Sequence, residues 1–342
     1  MSGTRQHANI PIFIPHLGCP HTCVFCNQRT ISGHGDFDLS RVRDEIETAL
    51  ATLGDCRHRE IAFFGGSFTG IDRGLMISLL ELAQEYVRAG DVHAIRLSTR
   101  PDYVDGEILE ILSHYAVETV ELGLQSMDDR VLAASARGHD GKTAERACES
   151  VKAHGFRLVG QMMIGLPAAD GESERMTAER IVSLGADAAR VYPTVVFRNT
   201  ALCRMAERGV YRVLPQSEML ERTADVLEIF ARASLPVIRV GLCASEKLSD
   251  PDTVWGGANE SAVGELAMSE VFYRRIREAM LRVSLPNDGV IRLFVPSGAA
   301  SRAVGHRRAN VTRLCREFSL RRIRVLETDR LQGYQIEIMC DN

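Results

Sequence analysis

Apolar and polar positions follow two rhythms along this chain. Ile10, Ile12 and Ile14 recur at every second residue, the period of a strand with one buried face. Val42, Ile46, Ala49 and Leu53 recur at helical spacing behind Ser40, a candidate N-cap. The rhythms then trade places. Strands are predicted at 61–64, 93–98, 117–122, 158–164 and 188–192, and helices between them at 75–87, 104–112, 142–153 and 175–184. Such alternation predicts a parallel sheet with helices packed outside it. Six units are too few for a closed eight-stranded barrel, so the expected fold is α/β, a partial (β/α)6 TIM-like barrel.

Past Tyr192 the pattern turns helical, most clearly at 217–232. Residues 237–242 offer one further strand, 244–257 reads as an ordered loop with Pro251, Gly256 and Gly257, and 261–283 as a helix. The turn cluster Leu285-Pro286-Asn287-Asp288-Gly289 sets the expected boundary. Residues 1–285 are then a barrel with a helical extension, and 286–342 a small basic α/β module. Within that module, 290–295, 323–326 and 334–338 are strand-like and 310–318 is helical.

In a parallel barrel, functional groups collect at the C-terminal strand ends. The chemistry-bearing residues fall there. Three cysteines follow the first strand and Gly65-Gly66 closes the second. Ser98-Thr99-Arg100 ends the third, Gln125 follows the fourth, and Gly165-Leu166-Pro167 ends the fifth.

Composition changes this picture little. The 342 residues are 45% hydrophobic and 25% charged, with a net charge of −4, so no global charge points to a nucleic acid or a membrane. The stretch Met1 to Asn9 is polar and lacks a signal-peptide core, and no apolar run reaches membrane-spanning length. Six of the nine cysteines are scattered singly and read as reduced, mostly buried thiols of a cytoplasmic protein.

The other three carry the candidate chemistry. Cys19, Cys23 and Cys26 are spaced C-x3-C-x2-C. Three thiolates on one loop can hold three irons of a [4Fe–4S] cluster and leave the fourth iron open to a small molecule. The alternative is a structural zinc with His16 or His21 as fourth ligand, although zinc sites usually show a second ligand pair.

The cysteine spacing, with aromatic Phe25 before the third cysteine, resembles the signature of the radical S-adenosylmethionine (SAM) enzymes. Gly65-Gly66-Ser67-Phe68-Thr69-Gly70 resembles their glycine motif. Further matches occur in order: Leu97-Ser98-Thr99-Arg100-Pro101-Asp102, Val120 to Ser126, Arg137-Gly138-His139, Met162 to Pro167 and Ser261 to Leu266. Together they resemble the radical SAM half of the Elongator catalytic-subunit family, which modifies wobble uridines of tRNA. Gln125 and the Gly-Leu-Pro turn are shared with the coproporphyrinogen-oxidase-like branch.

The resemblance implies a [4Fe–4S] cluster on Cys19, Cys23 and Cys26, and SAM as cofactor. Reduction of the cluster, by a donor such as flavodoxin or ferredoxin, cleaves SAM to methionine and a 5′-deoxyadenosyl radical. It implies SAM contacts at Phe25, Gly65, Gly66, Ser67, Phe68, Thr69, Gln125 and Arg137, and candidate contacts at Ser98, Arg100 and Gln161. The bland readings are a core phenylalanine for Phe25, a solvated helix-end charge for Arg137 and a structural salt bridge for Arg100. The family often has glutamate where Ser98 stands, and related enzymes an acid or histidine where Gln161 stands. Its first two cysteines are also further apart. About a sixth of the chain follows Pro286, too little for the family's acetyltransferase domain, so acetyl-CoA chemistry is not carried over.

Between Arg302 and Arg324 the tail is rich in arginine: Arg302, Arg307, Arg308, Arg313, Arg316, Arg321, Arg322 and Arg324, against one acid, Glu317. Arginine suits phosphate contact. The run from Val304 to Val311 resembles a KH RNA-binding module, with Arg308 in place of the second glycine of its G-x-x-G loop. Arg302, Arg307, Arg308 and Arg313 are the candidate RNA contacts; a solvated basic surface is the alternative. The expected function is radical SAM modification of RNA, with tRNA as the leading substrate. A small molecule of the porphyrin-pathway kind is second, and a non-enzymatic metal-binding interaction protein third.

Overall fold

The computed structural model describes residues 5–14, 17–19, 23–27, 37–54, 56–242, 246–260, 262–286 and 289–340. Strand and helix alternate as the pattern predicts: β1 (Arg5–Ile14), α1 (Val42–Leu53), β2 (Cys56–Gly65), α2 (Arg73–Ala89), β3 (Ala94–Thr99), α3 (Gly106–Ser113) and β4 (Val117–Gln125). Then come α4 (Asp129–Ala134), α5 (Gly141–Ala153), β5 (Arg157–Ile164), α6 (Gly171–Ser183) and β6 (Ala188–Pro193). The helices start where a side chain satisfies an orphan backbone N–H. Asp72, Asp105, Asp128, Asp140 and Asp170 each accept such a bond at the starts of α2 to α6. Ser40 is not the cap expected of it. Asp38 accepts from the Ser40 N–H and caps a short 3-10 turn that leads into α1.

The rest is β7 (Val195–Phe197), α7 (Ala201–Glu207), α8 (Gln216–Arg232), β8 (Val237–Val240), α9 (Glu246–Ser249), β9 (Val254–Gly257) and α10 (Val263–Met280). The tail holds β10 (Val290–Pro296), α11 (Ala300–Val304), α12 (Ala309–Glu317), β11 (Arg322–Thr328) and β12 (Glu337–Cys340). Residues 244–257 are not one loop: β9 pairs antiparallel with β7.

Seven strands form the main sheet in the order β1-β2-β3-β4-β5-β6-β8, every neighbour parallel. It curls into a half-barrel, the expected partial barrel with β8 as a seventh strand. The outer face is apolar and packs under the helices. Ile10, Ile12, Ile14, Ile61, Phe63, Ile95 and Leu97 are each at most 1% exposed.

The concave face is polar, because alternate residues of each strand point there. Glu60 on β2, Arg96 on β3, Glu121 on β4 and Arg190 on β6 form one buried ion-pair chain. Arg96 donates to Glu60 (2.9 Å) and to Glu121 (2.8 Å), and Arg190 donates to Glu121 (3.0 Å). The Arg190 guanidinium lies over the Phe64 ring. Buried charges persist only when paired in this way.

The tail sheet has the order β11-β10-β12 and its own apolar core. One wall of that core is α10, through Phe272, Tyr273, Ile276 and Met280, while Ala267 and Val271 of the same helix face the barrel core. Among the described residues, no helix is long and apolar enough to cross a membrane.

Candidate active site

The cysteine loop leaves β1 and meets the glycine stretch that leaves β2, backbone against backbone. Gly66 N–H donates to Ile14 C=O (2.8 Å) and Ser67 N–H to Leu17 C=O (3.2 Å). A Cβ on Gly66 would stand 2.1 Å from the Leu17 oxygen, and one on Gly18 would stand 2.2 Å from the Ser67 oxygen. Glycine is therefore required here so that these two loops can touch. On its other side the loop is held by Val24 N–H to Ser135 C=O (3.1 Å), just past α4, and by Leu202 N–H of α7 to Val24 C=O (2.8 Å). Phe25 packs with Leu202, Met205 and Tyr211 in a small apolar cluster.

Ser67 and Thr69 are buried, and their hydroxyls are engaged. Thr99 Oγ1 lies 2.7 Å from Ser67 Oγ and 2.6 Å from Thr69 Oγ1; Thr69 Oγ1 also donates to Tyr103 C=O, and Ser67 Oγ accepts from Arg100 N–H. This knot ties the end of β2 to the end of β3. The Phe68 ring stacks on Phe63 in the barrel core, 4.5 Å between centroids. Thr99 was outside the sequence-derived site, since a threonine at a strand end carries no chemical signal of its own.

Two arginines converge on the cysteines. Arg137, only 5% exposed, places Nη1 3.2 Å from Cys23 Sγ and donates from Nη2 to Gly123 C=O. Arg100, 4% exposed, is gripped through Nε and Nη2 by Asp102 and places Nη1 3.7 Å from the same sulfur. Arg137 is thus no solvated helix-end charge, and Arg100 makes the salt bridge while also facing the thiol. Burial pushes the Cys19 thiol above its ordinary range, against the opposing pull of Arg100 and Arg137. Beside them, burial and the Arg137 charge hold His139 down at about 4, neutral at physiological pH.

On the concave face, Gln161 Nε2 donates to Gln125 Oε1 at 3.4 Å. Gln125 ends β4 in the left-handed region (φ 66), a conformation rare outside glycine and concentrated at functional places. Ser98 shares the face of Arg96, one pleat nearer the mouth. At the Gly165-Leu166-Pro167 turn both backbone groups of Gly165 are engaged: Glu174 accepts from Gly165 N–H (2.7 Å), and Tyr211 donates to Gly165 C=O (2.6 Å).

The residues present suit a polynuclear cluster better than one ion. Thiolates on a single tetrahedral zinc stand about 3.8 Å apart. The three sulfurs of Cys19, Cys23 and Cys26 do not gather within 4.8 Å of one another. Two buried guanidinium groups also stand ready to balance several thiolates. His16 and His21, the alternative zinc ligands, lie outside the described residues.

Residues 13–181 match the Radical SAM superfamily, and residues 186–271 match the radical SAM C-terminal domain. The chain belongs to the radical SAM superfamily. An uncharacterised protein of Methanocaldococcus jannaschii is 28% identical over 231 residues, 64% of this chain and 70% of that protein. The tRNA uridine(34) acetyltransferase of the same organism is 25% identical over 59% of this chain and 45% of its own length. The mouse Elongator complex protein 3 is 32% identical over 63% and 48%. The heme chaperone HemW of Bacillus subtilis is 24% identical over 62% and 56%. This radical SAM chain therefore spans about half the length of those last three relatives. In fold it is similar to the archaeal Methanocaldococcus infernus Elp3, with a TM-score of 0.62 at 20% identity, covering 82% of this chain and 65% of that one. Membership makes the chain an enzyme and sets aside the reading as a non-enzymatic metal-binding protein. It also implies the cluster and SAM.

Proposed function

We propose that Cys19, Cys23 and Cys26 hold the [4Fe–4S] cluster of a radical SAM enzyme that acts on RNA, with tRNA as the substrate. The observation that carries the cluster site is the convergence of Arg100 and Arg137 on Cys23 at the barrel mouth. When bound, the reduced cluster supplies an electron that cleaves SAM and yields a radical able to take hydrogen from an unactivated carbon.

Around it, this chain's residues divide the work. Arg100 and Arg137 offset the thiolate charge. The backbone of Gly65 to Thr69 meets the cysteine loop through the Gly66 and Ser67 N–H groups and offers its remaining polar groups to SAM, while the Ser67 and Thr69 hydroxyls hold that backbone in shape. Gln125, Gln161 and Ser98 line the concave face and are left to orient SAM or substrate. Phe25 fixes the cysteine loop from its apolar side.

The RNA reading rests on the tRNA-directed relative and the basic tail. The tail arginines are not equivalent. Arg302 forks onto Glu265 of α10 (2.8 and 2.9 Å), and Arg313 lies over the Tyr273 ring 3.8 Å from Glu270, so both help seat the tail. Arg307 and Arg308 are exposed, and both have left-handed backbone (φ 50 and 64). Arg308 therefore takes the conformation that glycine favours, at the position where a G-x-x-G loop has its second glycine. A small-molecule substrate is the second reading, favoured by the polar concave face with Arg190 and Tyr192 3.2 Å apart.

The test is release of 5′-deoxyadenosine by anaerobically reconstituted, reduced protein with SAM, with and without bulk tRNA. Release stimulated by tRNA, and lost from that stimulation in an Arg307→Ala/Arg308→Ala variant, supports the proposal. Release indifferent to tRNA refutes the RNA reading, and no release from protein with a full cluster refutes the assignment of the site.

A further inference from the structure

At the opposite end of the barrel from the cysteines, β1 and β2 run in register with His7 beside His58. Their rings stack at 5.5 Å, and both lie at Glu60, one pleat along β2. Among the described residues, this is the one set of three His, Cys, Asp or Glu side chains whose ligand atoms all lie within 4.8 Å of one another.

Two features mark it off from an ordinary surface cluster. Glu60 is 1% exposed and its Oε1 atom has no hydrogen-bond partner, a costly state for a buried carboxylate oxygen. Its other oxygen is already used, by His7 Nε2 at 2.7 Å and Arg96 Nε at 2.9 Å. The free oxygen instead points towards His58 Nε2, 3.7 Å away, too far for a hydrogen bond. Glu118 approaches the same His58 nitrogen at 3.6 Å.

We propose that His7 Nε2, His58 Nε2 and Glu60 Oε1 bind one divalent transition-metal ion of the zinc class. Two imidazoles and one carboxylate are a donor set that such ions prefer. Nitrogen and oxygen ligands of a tetrahedral zinc stand about 3.3 Å apart. His58 Nε2 stands 3.7 Å from Glu60 Oε1, close to that value, and His7 Nε2 stands 2.7 Å from the other oxygen of the same carboxylate, so modest rotations of His7 and His58, both partly exposed, bring the atoms onto one ion. The ion gives Glu60 Oε1 its missing partner and displaces the His7 proton. Glu118 or water completes the set. Glu121 neutralises Arg96 from the far side, so the arginine on Glu60 does not repel the ion alone.

The site has a structural consequence. β1 is the edge strand of the sheet and leads directly into the cysteine loop. His7 and Ile14 are seven residues apart, roughly 23 Å along a strand. An ion there pins the free edge at its far end, remote from the cluster, and does not depend on the radical SAM reading.

The test uses holoprotein whose cluster has been reconstituted anaerobically, so that its three thiols are engaged. After equilibration with Zn²⁺ and gel filtration, zinc and iron per chain are measured, and Tm is followed with added Zn²⁺. We expect one zinc per chain beyond the iron and a Tm rise of several degrees. His7→Gln and His58→Gln, both at partly exposed positions, should each weaken zinc retention by more than about tenfold and abolish the Tm rise, with the iron content unchanged. Wild-type protein that retains no zinc, or a His7→Gln/His58→Gln double variant that retains as much as wild type, overturns the proposal.

Discussion

Replacing Gly66 with alanine tests whether the cysteine loop is built on glycine contact. The new methyl group would sit 2.1 Å from Leu17 O and 2.8 Å from Ile14 O, both backbone atoms that cannot rotate away. Relief requires the loop to retreat by roughly an ångström or more. That retreat strains or breaks the two bonds holding the loops together, Gly66 N–H to Ile14 and Ser67 N–H to Leu17. Each is worth about 1 kcal/mol, and overpacking alone costs about 1–3 kcal/mol. We expect a loss of about 3–5 kcal/mol in urea denaturation, and a larger proportional loss of iron per chain after reconstitution, because the displaced loop carries Cys19. Two controls separate the causes. Gly106→Ala meets nothing within 4 Å and has no left-handed backbone, so it should be neutral. Gly90→Ala also meets nothing but has φ +81, so it should cost about 1–2 kcal/mol of backbone strain and leave the iron content intact. If Gly66→Ala matches Gly106→Ala in both stability and iron, the contact argument is wrong.

Three further outcomes are expected. Glu121→Gln leaves Arg96 and Arg190 short of their shared buried partner and should cost about 3–5 kcal/mol by urea denaturation. Glu107→Gln, which removes an exposed partner of Arg73, should change stability by less than about 1 kcal/mol; equal effects would show that the concave network is not energetically distinct. The third concerns pH. His139 is held at about 4, below its ordinary 6.5, by burial and then by Arg137. The unfolded chain therefore takes up this proton first, and the contribution of neutral His139, complete above about pH 6.5, is lost as pH falls towards 4. The urea midpoint should drop across that window in the wild type, and less steeply in His139→Gln; parallel slopes would refute this assignment.

Much of the fold was legible because burial is one-sided. The outer face of each strand packs under helices, so Ile10, Ile12 and Ile14 alternate visibly, and the helices carry a matching stripe. The short elements were not legible. β7 and β9 are three and four residues long, too short for any periodicity to register, and what makes them strands is their pairing with each other. Ser40 failed as a cap because local sequence offers two candidates there, and the geometry of the chain entering α1 selects Asp38.

The candidate site divides the same way. By itself, the sequence determined that three thiols share one loop, because thiol spacing is a local property, and its motifs carried the family whose membership implies a [4Fe–4S] cluster and SAM. It also determined that the ends of successive strands carry polar and glycine residues. Only the tertiary structure decided what those residues do. Gly66 makes room for a loop about fifty residues away in sequence, Thr99 ties two strand ends, and Arg137 meets Cys23 across more than a hundred residues. The chain Glu60–Arg96–Glu121–Arg190 likewise exists only once four strands lie side by side. Such pairings follow from strand register and barrel curvature, which no single stretch of sequence encodes.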